Sequence, residues 1–169
     1  MFRWWGTCFL CLFSVAVYAD NQPRFNSGFD EKPWEEQQED LPSFPDLQDA
    51  NWFSFQIDNQ SQITPFLLLT SPYMAKDRTV RYVLNLRSPS GFNNISAEGV
   101  HCDTGRYKAF AFGDTVNHRW IKTRNTSWQE TGSALNRYDL IRYAIKNVFC
   151  GSHFPQNHDE IKKRFKEQY

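Results

Sequence analysis

The chain has 169 residues, of which 40% are hydrophobic, and its 19 acidic side chains match its 19 basic ones. That length holds one ordinary domain around a single core and is short for two. A formal net charge of zero gives no whole-chain pull toward nucleic acid.

Arg3, the apolar run "CFLCLFSVAV" over residues 8–17 and the small-residue ending "VYA" before Asp20 together read as a secretory signal peptide, residues 1–19, cleaved after Ala19. The run is shorter than the roughly 20 apolar residues of a spanning helix, and no later stretch comes close, so the mature chain is expected to be soluble and not membrane-spanning. Cleavage removes Cys8 and Cys11 and leaves Cys102 and Cys150. Two thiols of an exported chain in an oxidising compartment most often pair, and a disulfide closing so long a loop is worth on the order of 4 kcal/mol. The alternative, a metal site, wants four ligands at short spacing, and His101 and His153 form no CxxC or HxxxH pattern. No metal and no cofactor is expected.

Residues 20–50 carry nine acidic side chains against Arg24 and Lys32, together with prolines 23, 33, 42 and 45. Such a composition cannot bury enough surface to order itself, and predicts an acidic flexible arm with apolar spots at Trp34 and around Leu41, Phe44 and Leu47. The remainder, residues 51–169, is predicted to be the folded domain.

Within that domain the first periodic run is "WFSFQI", with Phe53, Phe55 and Ile57 on one face. In "TVRYVLNLR" Val80, Tyr82, Leu84 and Leu86 share a face opposite Arg81, Val83, Asn85 and Arg87. "SPSGFNN" then supplies a turn, residues 94–101 a further strand, "DTG" a second turn, and "RYKAFAFG" and "HRWIKTR" two more strands. Consecutive strands at hairpin spacing predict an antiparallel meander. The period then changes. Tyr138, Ile141, Ile145, Val148 and Phe149 recur three and four apart on a helix, with Asn136 as its N-cap and Asp139 near the positive end. Gly151 and Pro155 stop it, and Asn157 with Glu160 opens a terminal helix with the spacing of a capping box. The expected fold is α+β: an antiparallel sheet of about five strands, a C-terminal helix on one face and a short terminal helix beside it. Cys102 and Cys150 then staple helix to sheet.

"ISAEGVHC" places Glu98, His101 and Cys102 within five positions. On a strand Glu98, Val100 and Cys102 share a face and His101 points away, so Glu98 and His101 fail as an acid–base pair unless a bulge intervenes. The plain reading is a glutamate bonded across strands beside a disulfide; the sharper one makes Glu98 an acid or base, with Arg81 or Arg124 holding an anionic group. Basic residues interleave with aromatics farther on, Arg106, Lys108, Arg119, Lys122 and Arg124 beside Tyr107, Trp120 and Trp128. That pattern suits a polyanion surface, and equally the wet face of a soluble sheet.

The series "VRYVLNLRSPSGFNNISAEGVHC", "YKAFAFGD", "RWIKTRNTSW" and "NRYDLIRYAIKNVFC" resembles the cryptic neisserial protein-like family, exported proteins of Gram-negative bacteria without an established activity. The resemblance runs from about Trp34 to Lys166, with one departure at His101, where the family often has an arginine. It implies a periplasmic or envelope location and no reaction. The function expected is therefore a non-enzymatic interaction or binding module of the cell envelope, with Arg81, Glu98, Arg106, Tyr107, Trp120, Arg124 and Trp128 as binding residues. Its partner would be an envelope protein or an anionic envelope component, with no nucleic acid. The alternative is an envelope-directed hydrolase or lyase using Glu98.

Overall fold

The computed structural model describes residues 33–57, 62–124, 126–132 and 139–169. The chain divides into two compact units, Met1–Pro33 and Trp34–Tyr169. The expected signal peptide over 1–19 and the first part of the expected arm, up to residue 32, lie outside the described residues.

In the second unit the described strands form one antiparallel sheet. They are β1 (Trp52–Ser54), β2 (Thr64–Leu68), β3 (Tyr73–Met74), β4 (Thr79–Arg87), β5 (Asn93–His101), β6 (Arg106–Asp114), β7 (Arg119–Lys122) and β8 (Gln129–Glu130). Their order is β1-β2-β4-β5-β6-β7, with β3 also on β4 and β8 on β6. Two helices follow, α1 (Leu140–Phe149) and α2 (His158–Gln168). The α+β class matches the expectation, and the sheet has eight described strands in place of about five. β3 and β8 are two-residue pairings too short to leave a period. β2 escaped because its apolar run does not alternate: Leu67 faces the helices and Leu68 the opposite side, and both are buried.

The alternation read in β4 sets the two faces. Val80, Tyr82 and Leu84 join Leu67, Val100, Ile145, Val148, Phe149, Ile161 and Phe165 in the main core beneath the helices. The stacked rings of Phe55 and Phe165, with centroids 4.2 Å apart, close the far end of that core. Val83, Ile95 and Leu68 form a smaller cluster on the other face. β4 is buried on both sides because the helices cover one face and residues 34–48 cover the other.

α1 starts later than the sequence suggested. Its N-cap is Asp139, whose carboxylate accepts from the Arg142 amide at 3.0 Å; Asn136 and Tyr138 lie outside the described residues. α2 is capped by Asn157, which accepts from the Glu160 amide at 2.9 Å. The Glu160 carboxylate reaches back to the Gln156 amide at 2.8 Å, one residue earlier than a capping box requires. The predicted disulfide is present: Cys102 at the end of β5 and Cys150 at the end of α1 are bonded, with Cα atoms 5.2 Å apart.

The ladder between β5 and β6 is irregular at one point. Its pairing shifts at Ala97/Glu98, so that Ala97 faces Ala111 while Glu98 faces Ala109. Phe110 is the extra residue of a β-bulge, and it turns its ring to the face away from the helices. Thr123 and Thr126 hydroxyls hold the displaced carbonyls of Ala109 and Phe110.

Candidate functional site

On the helix-covered face Glu98 is 1% exposed and saturated with donors. Tyr82 donates to it across the strand pair at 3.0 Å and Ser96 along the strand at 2.6 Å. From α1, Arg142 makes a two-pronged contact, Nε at 3.0 Å and Nη2 at 2.6 Å. Arg142 also donates to Asp139 at 3.2 Å and lies over the Tyr107 ring, 5.0 Å from its centroid. Burial opposes the Arg142 charge, yet the adjacent Glu98 carboxylate outweighs it and raises its pKa. Burial first, and Glu98 second, push the Tyr82 phenol well above its ordinary value. The cluster joins helix to sheet beside the disulfide.

The opposite face carries a different construction. Arg81 pairs in the register with Gly99 and is 8% exposed. Its guanidinium carbon lies over the Phe110 ring, 3.9 Å from the centroid, and its Nη2 bonds Asp77 at 2.7 Å. Glycine at position 99 makes room: a Cβ there would stand 3.0 Å from the Phe110 ring and 3.1 Å from Arg81. Burial acts against the Asp77 carboxylate, but bonds from the Thr79 hydroxyl and the Gln37 and Thr79 amides, with Arg81 beside it, hold its pKa below the usual carboxylate value.

Across this face runs a strap, residues 34–48, without regular secondary structure. It is held by side chains at intervals. Trp34 donates to the Asp77 carbonyl at 2.7 Å, and its ring stands 4.5 Å from that of His101 and 5.4 Å from that of Trp128. Glu36 accepts from Lys108 at 2.9 Å and from Trp128 Nε1 at 2.8 Å. Tyr73 donates to Glu39 at 2.7 Å, and Trp120 to the Pro42 carbonyl at 2.8 Å. Burial, then Glu39, pushes the Tyr73 phenol up to about 12. Phe44 fills the end of the groove against Trp120 and over Gly113, where a Cβ would stand 3.0 Å from its ring. From Trp34 onward, therefore, the expected flexible arm is laid down on the sheet by its aromatic and acidic side chains.

Between strap and sheet lies a cavity of about 220 Å³. Its floor is Arg81, Val83, Ala97 and Phe110, and its roof runs from Glu36 to Pro42. Arg81 Nε is buried without a hydrogen-bond partner against the Phe110 ring. Arg81 Nη1 bonds nothing among the described residues and is not among the buried nitrogens, and Arg81 is one of the residues that line the cavity.

The residues singled out by sequence divide accordingly. Glu98 and Tyr107 lie on the helix side; Arg81, Trp120 and Trp128 lie on the strap side. Glu98 and Arg81 both border the cavity, but their side chains point to opposite faces, because they follow neighbouring rungs of the β4–β5 ladder, Tyr82↔Glu98 and Arg81↔Gly99, and the Glu98 carboxylate is bonded on the helix side. Of the five basic residues proposed as a patch, Arg106 pairs with Glu130 at 3.6 Å, Lys108 with Glu36 and Arg119 with Asp114 at 3.2 Å. Arg124 stands exposed beyond β7. Sequence reasoning missed Arg142, the partner of Glu98. The signal was there: a buried glutamate needs a cation, and Arg142 is a turn into the helix that shares its disulfide. It also missed Asp77 and Phe110, whose roles depend on the turn before β4 and on the bulge.

Among the described residues no helix is long and apolar enough to cross a membrane. The model of the CNP1-like family matches residues 29–166. The chain is 33% identical over 173 aligned positions to Cryptic neisserial protein 1 of Neisseria gonorrhoeae (strain ATCC 700825 / FA 1090), an alignment covering 91% of this chain and 85% of the relative. No solved structure matches.

Proposed function

The chain belongs to the CNP1-like family, and from that starting point we propose that it is a non-enzymatic binding module of the Gram-negative periplasm whose ligand site is the strapped cavity. The observation that carries this reading is the Arg81 guanidinium, nine-tenths buried, on the wall of a concave space that Phe110, Val83 and Ala97 also line. Concave, largely apolar spaces with one or two placed polar groups are how small ligands are held. Glu98 supports the same reading from the other face. Four donors occupy its two oxygens and its side chain is buried, which makes it a structural anchor between sheet and helix.

Two features support the compartment. Residues 1–19 have the form of a signal peptide, and the bonded Cys102–Cys150 pair suits an oxidising environment. N-terminal sequencing of the protein recovered from periplasm should begin at Asp20; a chain that retains Met1 sinks the assignment.

The binding reading is tested by thermal shift of the purified protein in a small-molecule extract of the cell envelope. The parent should be stabilised, since a ligand that binds only the native state raises the melting temperature. Ala97→Leu, which fills the floor of the cavity, should abolish the shift. Equal shifts in both proteins, or none in the parent, would overturn the reading.

A further inference from the structure

Resting on that reading, we infer that the strapped cavity takes a small zwitterion with an apolar middle, the chemistry of a free α-amino acid. The charges on its walls decide this. On the floor Arg81 offers Nη1, its one guanidinium nitrogen neither bonded nor buried, while its Nη2 is committed to Asp77. On the roof three carboxylates line the space, and they are not equivalent. Glu36 is tied to Lys108 and Trp128 Nε1. Glu39 is tied to the Tyr73 hydroxyl and the Lys76 amide. Asp40 makes no hydrogen bond or ion pair among the described residues.

A ligand in this space meets a cation from the sheet and an uncommitted anion from the strap. A simple anion would satisfy Arg81 and be repelled by Asp40 and Glu39; a simple cation would face the reverse. A molecule carrying both charges satisfies the two ends at once, and a buried charge is tolerated only when it is paired. Val83, Ala97, Phe110 and Leu41 also line the space and give it apolar surface suited to a short aliphatic or aromatic side chain. The volume of about 220 Å³ is below the ~300 Å³ at which drug-sized sites begin, which limits the ligand to the scale of one amino acid. Because the roof is the strap, the ligand would also bridge strap to sheet. Binding is therefore expected to protect the strap from proteolysis.

The test is calorimetric titration of the full mature protein with leucine and phenylalanine. Each is compared with its N-acetyl form, which lacks the cation, and its amide, which lacks the anion. The free amino acid should bind at least about tenfold more tightly than either analogue. Asp40→Asn, at an exposed position with no structural bond, should lose the preference for the free acid over the N-acetyl form and keep the parent's melting temperature. Arg81→Lys, which retains the charge beside Asp77 and removes the fork, should lose the preference over the amide. Tryptic release of the strap should slow when ligand is present.

N-acetyl forms that bind as tightly as the free acids would make the cavity an anion site, and amides that do so would make it a cation site; either overturns the inference. If none of these compounds binds the parent while envelope extract still stabilises it and fails to stabilise Ala97→Leu, the zwitterion assignment falls and the binding reading stands. If the extract has no effect either, both fall.

Discussion

The two faces of the sheet are covered by unlike means. Over one, helices bury an apolar core and are fixed by a four-donor carboxylate and a disulfide. Over the other, a strap without secondary structure is tacked down by indole N–H groups, one ion pair and a phenylalanine seated on a glycine. The first cover cannot lift without exposing a charge and a core. The second is held by exposed and part-buried bonds, and lifting it uncovers only the smaller cluster and the Arg81–Asp77 pair. Permanence and access are thus assigned to opposite sides of the same strands.

The comparison breaks first at the helix side. Arg142→Met leaves the Glu98 carboxylate buried without its cation and should cost about 3–5 kcal/mol in chemical unfolding, while the double variant Glu98→Met with Arg142→Met recovers most of it. A loss below about 1 kcal/mol for the single variant would mean that the pair is solvated. Next, replacing Cys102 and Cys150 together by serine should cost about 2–4 kcal/mol, and reductant should lower the parent's melting temperature to a similar extent.

Changes on the strap side should be milder. Gly113→Ala places a methyl 3.0 Å from the Phe44 ring and from Ile95 Cβ. It should cost about 1–2 kcal/mol and expose the strap to early cleavage by protease, with the helices still protected. A loss as large as that of Arg142→Met would show that the strap belongs to the core.

The smallest expected effect is one of pH. Burial holds the His101 pKa below its ordinary value, with Asp103 and Asp77 pulling up against it and Arg78 pulling down. Trp34 and Trp128 pack against its ring, Nδ1 lies 2.8 Å from the Thr104 hydroxyl, and Nε2 is buried without a partner. A lowered pKa means that the folded state prefers the neutral ring. Its contribution is full above the unfolded value of about 6.5 and is lost as the pH falls below it, with a slope under about 1.4 kcal/mol per pH unit. His101→Gln should flatten the stability profile between about pH 7 and pH 5 relative to the parent. An unchanged slope would exclude His101 as its source.

Much of the helix side was legible. The alternation of β4 and the helical stripe of α1 place Tyr82, Val148 and Phe149 correctly, and the surviving cysteines find each other. The strap was not legible, because composition averages over residues. Nine carboxylates outvoted Trp34 and Phe44, although those two rings, with Glu36 between them, hold it in place. The bulge hid in plain alternation. "KAFAF" reads as Phe110 and Phe112 on one face, yet Phe110 stacks under Arg81 while Phe112 pairs with Ser96 and stands half-exposed on the other side.

The Cys102–Cys150 bond has a mechanical consequence. It closes a ring of chain with a sequence separation of 48, holding β6, β7, β8 and α1. Tension applied between the ends of the protein passes from β5 through the sulfur bridge directly into the segment leading to α2, and the enclosed strands bear none of it. Stretched to its limit, the oxidised molecule should fall about 160 Å short of the reduced one, at roughly 3.4 Å for each residue kept inside the ring. The edge strand β7 and the helix that carries Arg142 are therefore shielded from any pull on the termini, while the strap and the edge strand β1 lie outside the ring and bear the load.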